Sequence, residues 1–334
     1  MEQTEREYLR QAIICQEDTF DRRALAVFRH QSIHNRLYAK WLAFLKINIM
    51  AVETIEKIPC LPIQFFKTQE VKSEHILPVL KTFESSRTSG QTPSRHHVFD
   101  LDWYNAISLN AFQAQFGPLG QYALLGLLPS YQANPNSSLL HMVDWFMQNT
   151  ATPLSRYVEE AEDLLAAIEA IAMADKIPLL FGVTFALLAM EVAPTRAVKL
   201  PLLIIETGGM KGRGKELTRQ ELHTAIHAKF PKAEIYSEYG MTELLSQAYT
   251  IGPGSEWFQF GPTAQAFVRD MKDPLTYLPH GQRGGLNIID LANLDSCSFI
   301  ATDDLGEMRS DGAFKVLGRA DQSEVRGCNL LIAG

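Results

Sequence analysis

The chain has 334 residues, with 31 basic against 38 acidic side chains, a formal net charge of −7, 46% hydrophobic and 21% charged residues. This is globular rather than disordered or fibrous composition, long enough for one large domain or two smaller ones with ample core. Mild acidity argues against non-specific nucleic-acid binding and against a polybasic membrane surface.

Residues 1–80 read as a helical N-terminal segment. The opening Met1-Glu2-Gln3-Thr4-Glu5-Arg6 is charged and lacks the apolar stretch of a signal peptide. Ile33, Leu37, Tyr38, Trp41, Leu42 and Leu45 recur at helical spacing and predict one buried stripe on a helix ending before Pro59. Residues 61–67 are apolar but interrupted by Pro62, which fits an edge or a connection better than a central strand.

Residues 81–284 alternate between strand-like and helix-like segments and read as an α/β nucleotide-binding core. A strand over 123–128 stops at Pro129, and residues 159–174 form an amphipathic helix with Leu164, Leu165, Ile168 and Ile171 on its apolar side. The nearly apolar run 177–190 is shorter than the ~20 residues that cross a bilayer, and reads as core or as an apolar groove for a ligand. Residues 201–205 are wholly apolar, as in a sheet covered on both faces. Thr218 and Glu221 have capping-box spacing and open a helix to about Phe230. A strand over 233–236 follows, then a further helix predicted from Met241. Residues 285–334 read as a β-rich C-terminal subdomain, with strands over 285–291, 298–302 and 313–317. The fold class is therefore α/β.

Cys15, Cys60, Cys297 and Cys328 are scattered without a C-x-x-C pair, which excludes a zinc ribbon, a thioredoxin-type site and a disulfide framework. The expectation is a soluble, cytoplasmic protein of a reducing compartment. His223 and His227 are four residues apart but lack the glutamate of H-E-x-x-H, so a surface helix is expected rather than a metal site. No G-x-S-x-G elbow is present.

Four segments could carry chemistry. Ser85-Ser86-Arg87-Thr88-Ser89-Gly90-Gln91-Thr92-Pro93-Ser94-Arg95 could wrap phosphate oxygens with hydroxyls and backbone N–H groups, or be a solvated loop followed by His96 and His97. In Glu206-Thr207-Gly208-Gly209-Met210-Lys211-Gly212-Arg213-Gly214-Lys215, a buried strand runs into paired glycines and then alternating glycine and base. Glycines at a strand's carboxyl end let a flat ring or a phosphate approach the backbone; a flexible turn with solvated lysines is the other reading. Tyr236 to Glu243 offers a tyrosine to stack on a base, a threonine hydroxyl for phosphate, and a carboxylate for Mg²⁺ beside a predicted helix N-terminus. Thr302-Asp303-Asp304 and Gly318-Arg319 could bind ribose hydroxyls.

In this order the four segments resemble the adenylate-forming superfamily, which activates carboxylic acids as acyl-AMP. Within it the chain is similar to the LuxE-type acyl-protein synthetases. The resemblance is carried by Ile58-Pro59, Phe65-Phe66-Lys67, Leu128-Pro129-Ser130-Tyr131, Ser137-Ser138-Leu139, Phe181 to Ala186, Glu206 to Arg213, Ser237 to Gln247 and Arg326 to Leu330. The resemblance implies the fold of the large domain of adenylate-forming enzymes, with ATP and Mg²⁺ as cofactors. Ser85, Ser86, Thr88, Ser89 and Gly90 would hold ATP phosphates. Gly208, Gly209 and Tyr239 would frame adenine, Thr242 would contact the α-phosphate, Glu243 the Mg²⁺, and Asp303 and Arg319 the ribose. Lys211 and Arg213 would steady the charge that develops as the adenylate forms. Cys328, six residues from the end of the sequence, would take the acyl group as a thioester. The partners implied are a fatty or other carboxylic acid and an acyl-accepting reductase or carrier protein.

The sequence departs from the superfamily pattern twice. Arg87 stands where the phosphate loop has its first glycine; if that position needs positive φ, arginine there costs ~1 kcal/mol or more. The mobile C-terminal domain with its catalytic lysine is expected to be absent, as in LuxE-type proteins. The leading expectation is an ATP-dependent acyl-protein synthetase. An acyl-CoA ligase or acyltransferase on the same scaffold, or a non-catalytic acyl- or nucleotide-binding subunit, are the alternatives.

Overall fold

The computed structural model describes residues 2–74, 78–86, 92–128, 134–192, 201–208 and 217–320. Helices α1 (Glu2–Ile14), α2 (Phe20–His34) and α3 (Arg36–Phe44) precede the short strand β1 (Leu61–Pro62) and the one-turn helix α4 (Phe65–Thr68). Strands β2 (Lys81–Glu84) and β3 (Arg95–Val98) pair with each other. Then come α5 (Leu101–Phe116), β4 (Tyr122–Leu127), α6 (Ser138–Asn149), β5 (Arg156–Tyr157), α7 (Ala161–Met173), β6 (Ile177–Val183), α8 (Thr184–Ala189), β7 (Leu202–Thr207), α9 (Arg219–Lys229) and β8 (Ala233–Tyr239). Strands β9 (Ala248–Thr250), β10 (Phe258–Phe260), β11 (Ala264–Arg269), β12 (Arg283–Asp290), β13 (Phe299–Met308) and β14 (Phe314–Arg319) complete the described chain. No helix among the described residues is long and apolar enough to cross a membrane.

One sheet runs in the order β11-β12-β13-β14-β10-β9-β8-β7-β6-β4-β5, with β1 beside β13. Pairing is parallel from β5 to β8 and antiparallel from β8 to β11. Every residue of β4 and β7 is buried, which is why β4 and residues 202–205 of β7 read as apolar runs, with the buried polar Glu206 and Thr207 closing β7. The register sets Val183 beside Thr207 and Thr207 beside Glu238, so the carboxyl ends of β6, β7 and β8 align. In open α/β sheets that edge is where ligands bind.

Asn35 divides the expected N-terminal stripe between two helices. It closes α2 and opens α3 by accepting the Tyr38 N–H at 3.0 Å. The break resets the helical phase: Tyr38 and Leu42 are buried, whereas Ile33 is 74% exposed, against expectation. Asn35 also donates to the Ser296 carbonyl at 2.6 Å. Gln31 donates to the Asn293 carbonyl at 2.8 Å and accepts the Ser298 N–H at 2.9 Å. These buried bonds fasten the helices to the turn that leads into β13.

The run 177–190 takes its core reading, and two further expectations change. The run 177–190 is β6 plus α8; Phe181 and Leu187 are fully buried in the core, and Thr184 is the residue of the run that lines the main cavity described below. Strand β13 continues past Thr302 to Met308 because pairing with β14, Asp304 opposite Arg319, holds extended a stretch whose aspartates and glycine resemble a turn. No helix begins at Met241. The capping box of α9 is present as expected: Thr218 Oγ1 accepts the Glu221 N–H at 3.2 Å, and Glu221 accepts the Thr218 N–H at 2.8 Å.

Candidate functional site

A cavity of about 770 Å³ lies at the carboxyl ends of β6, β7 and β8. On one side Ser85 and Ser86 line it. Ser85 Oγ accepts the Ser94 N–H at 2.9 Å while the Ser85 N–H donates to the Ser94 carbonyl at 3.1 Å, clasping the two ends of the serine-rich loop. Thr88, Ser89 and Gly90, and with them Arg87, lie outside the described residues.

The segment from Gly240 to Gln247 forms the next wall, and tertiary hydrogen bonds explain why it is not helical. Asp290 Oδ2 accepts the N–H groups of Leu245 and Ser246, both at 2.9 Å. Asn293 donates to the Glu243 carbonyl at 2.8 Å, and His96 Nδ1 meets the Thr242 carbonyl at 2.8 Å. Groups a helix would have paired internally are thus held by β12 and its neighbours. Thr242 and Glu243 line the cavity, but without a helix N-terminus behind them, so the dipole expected there is absent. His96 does not line this cavity. It is buried edge-on against Phe66, and desolvation lowers it to about 4, which keeps it neutral.

Glu243 is 6% exposed, and burial raises its carboxyl above the usual range, opposed by the Ser94 hydroxyl and by the charges of Arg319 and Lys67. A buried carboxylate of this kind beside a cavity fits a hard divalent cation, whose charge would offset the desolvation.

The opposite wall brings β8, β13 and β14 together. Tyr239 packs edge-on against Phe314, and its hydroxyl donates to Asp304 Oδ2 at 2.7 Å. Arg319 Nε lies 3.3 Å from Asp304 Oδ1. Asp303 accepts from the Gln64 amide, and Lys67 of α4 also faces the cavity. Asp303 and Arg319 therefore lie in the same wall, and the direct partner of Arg319 is Asp304. Gly208 ends β7 at φ 70°, a conformation that favours glycine. Gly209, Lys211, Arg213 and Cys328 lie outside the described residues.

Glu206, Glu238, Arg219 and Thr184 form the floor, a set that no single sequence motif contains. Glu206 is 5% exposed, accepts from Thr184 Oγ1 at 2.9 Å and stands 3.6 Å from Arg219 Nη1. Burial raises it, with the Arg219 charge opposing. Glu238 accepts from the Thr207 hydroxyl, and burial pushes it up to about 7. Arg219 packs over the Phe258 ring at 4.5 Å, and its buried Nη1 makes no hydrogen bond, so a cationic donor is available at the strand ends. His223 faces inward, 3.4 Å from Ser237 Oγ, rather than outward as expected, whereas His227 is exposed. Glu206 and Glu238 are the penultimate residues of β7 and β8, and Arg219 opens α9; position at element ends is the signal the sequence offers.

Among the described cysteines, Cys297 is fully buried and its thiol is pushed up by desolvation, while Cys60 is raised to about 11. Neither is a thiolate at neutral pH, so neither is placed to act as a nucleophile. Cys15 is exposed and lies outside the cavity wall.

No protein-family model matches the sequence, and no curated protein matches it. Solved structures do. The chain is similar to ATP-bound MatB from Rhodopseudomonas palustris, at 18% identity and TM-score 0.52 over 74% of this chain and 49% of that one. It is similar to 2-hydroxyisobutyryl-CoA ligase in complex with 2-HIB-AMP and CoA, at 12% identity and TM-score 0.62 over 90% of this chain and 68% of that one. The chain thus spans about half the length of MatB. The likeness establishes the fold, which is that of adenylate-forming enzymes.

Proposed function

We propose that the chain uses ATP to activate a carboxylic acid as acyl-AMP and passes the acyl group to a thiol, as a LuxE-type acyl-protein synthetase. The observation that carries the reading is the convergence of Ser85-Ser86, Gly208, Tyr239 to Glu243, Asp303-Asp304 and Arg319 on one cavity at the strand ends, although more than 200 residues separate the first from the last.

In this reading Ser85 and Ser86, with Thr88, Ser89 and Gly90, hold the β- and γ-phosphates. Gly208, Gly209 and Tyr239 bracket adenine, and Asp303 with the Asp304–Arg319 pair holds the ribose. Thr242 donates to the α-phosphate. Glu243 is the residue that would hold Mg²⁺, which when bound neutralises phosphate charge. A carboxylate oxygen of the acid attacks the α-phosphorus, the bond to the β-phosphate oxygen breaks, and pyrophosphate leaves. Arg219, with Lys211 and Arg213, supplies the positive charge that favours this oxygen and the developing negative charge. Leu139, Met142, Leu217 and Leu222 line the same cavity, in keeping with a fatty acid. A thiolate then attacks the acyl carbon, forming a thioester and releasing AMP; Cys328 is the proposed acceptor, directly or on the way to a carrier or reductase.

Incubation with ATP, Mg²⁺ and a fatty acid, followed by intact mass and pyrophosphate assay, tests this. Expected is pyrophosphate release and a hydroxylamine-labile acyl adduct that Cys328→Ala lacks. Acyl transfer only when coenzyme A is added would reassign the acceptor. No pyrophosphate release across acids of varied length would overturn the reading in favour of a binding subunit.

A further inference from the structure

Far from the cavity in sequence and independent of its function, α1 and α2 bring together one carboxylate and two imidazoles. His30 and His34 are four residues apart on α2, so they share a face, with ring centroids 4.4 Å apart. Glu5 of α1 points one oxygen at both. Its Oε2 is 3.4 Å from His30 Nδ1 and 3.7 Å from His34 Nε2, and the three ligand atoms all lie within 4.8 Å of one another. Among the described residues no other histidine, cysteine and carboxylate side chains group in this way.

The two separations from Glu5 Oε2, 3.4 and 3.7 Å, are too long for good hydrogen bonds but close to those between ligands of one metal ion. Tetrahedral Zn²⁺ with bonds of about 2.0–2.1 Å to nitrogen and oxygen sets its ligand atoms roughly 3.3–3.4 Å apart. A second observation points the same way. His30 is 5% exposed, yet its Nδ1 is buried with no hydrogen-bond partner, facing the Glu5 oxygen. Buried ring nitrogens ordinarily find a partner. The Glu5 carboxylate is half open to solvent, at 55% exposure, which leaves an approach for an ion and room for water as a fourth ligand. Two imidazoles and one carboxylate suit Zn²⁺ better than Mg²⁺ or Ca²⁺, which take oxygen ligands.

We propose that Glu5, His30 and His34 form a Zn²⁺ site that clamps α1 to α2. Its neighbour is the ion pair of Arg6 with Asp295 at 2.5 Å, which ties α1 to the turn before β13. Bound Zn²⁺ would add a second fastening one residue away.

The test uses the full chain, stripped with a chelator and titrated with Zn²⁺ against a chromophoric competitor, with thermal unfolding followed in parallel. Expected is one equivalent bound at micromolar or tighter affinity and a rise in Tm on loading. Glu5→Gln and His34→Ala alter side chains that are not fully buried, so both are expected to fold, as checked by circular dichroism. Each should bind Zn²⁺ at least tenfold more weakly and lose the Tm rise. Substituting Co²⁺ should give the intense visible absorption of a tetrahedral site in the wild type only. No binding to the wild type, or binding of equal affinity in both variants, would overturn the proposal.

Discussion

Replacing Asp290 by alanine is the sharpest probe of how the cavity wall is held. The carboxylate is fully buried and accepts four hydrogen bonds: from the Leu245 and Ser246 N–H groups at 2.9 Å, Ser246 Oγ at 2.7 Å and the Ala292 N–H at 3.1 Å. Ser246 Oγ keeps Thr263 Oγ1 at 2.8 Å, so three backbone donors lose their acceptor. An unsatisfied buried donor costs about 1–3 kcal/mol. Burial already raises the Asp290 carboxyl, so its removal returns part of a desolvation penalty, and water can enter the space left. The net expectation is a destabilisation of about 3 kcal/mol, near the lower end of three such donors. Asp290→Asn, which retains one carbonyl oxygen for the Leu245 and Ser246 N–H groups, should lose roughly half of that. Urea denaturation measures the stability, and pyrophosphate release at native-state temperatures reports whether Thr242 and Glu243 have moved. Both variants should release pyrophosphate more slowly. A loss under about 1 kcal/mol for the alanine variant, or full activity in a variant that is destabilised, would refute the view that Asp290 shapes the site.

Glu238 makes stability depend on pH. Its folded value of about 7 lies above the ordinary 4.5 because burial disfavours the charged form, so the folded state holds the proton more tightly. That contribution is fully present below about 4.5 and is lost as pH rises through about 7. The difference in unfolding free energy between wild type and Glu238→Gln should therefore shift in favour of the variant from pH 5 to pH 8; a constant difference would contradict it. Gly208→Ala puts a side chain at φ 70° and should cost about 1 kcal/mol with a raised KM for ATP, measured by urea denaturation and steady-state pyrophosphate release. Tyr239→Phe keeps the ring but removes the hydroxyl that donates to Asp304, and should raise KM for ATP several-fold; an unchanged KM would separate this tyrosine from the nucleotide.

Much of the scaffold was legible in the residues themselves. The apolar run 202–205 of β7 can be stable only between two covered faces, and the Thr218–Glu221 capping box starts a helix through bonds that span three residues. Local spacing also located the strand-end segments that line the cavity. What local spacing missed depended on partners distant in sequence. Met241 to Gln247 stays non-helical because Asp290 and Asn293 take up its polar groups, and Ile33 turns outward because Asn35, held by Ser296, ends one helix and begins another. The Arg319–Asp304 pair likewise follows from the register of β13 and β14, which no local pattern gives. The sequence by itself determined the elements whose hydrogen bonds close within a few residues, and the motifs those elements carry. Only the tertiary structure decided which side chains face one another, because burial and cross-strand register act between residues that no local pattern relates.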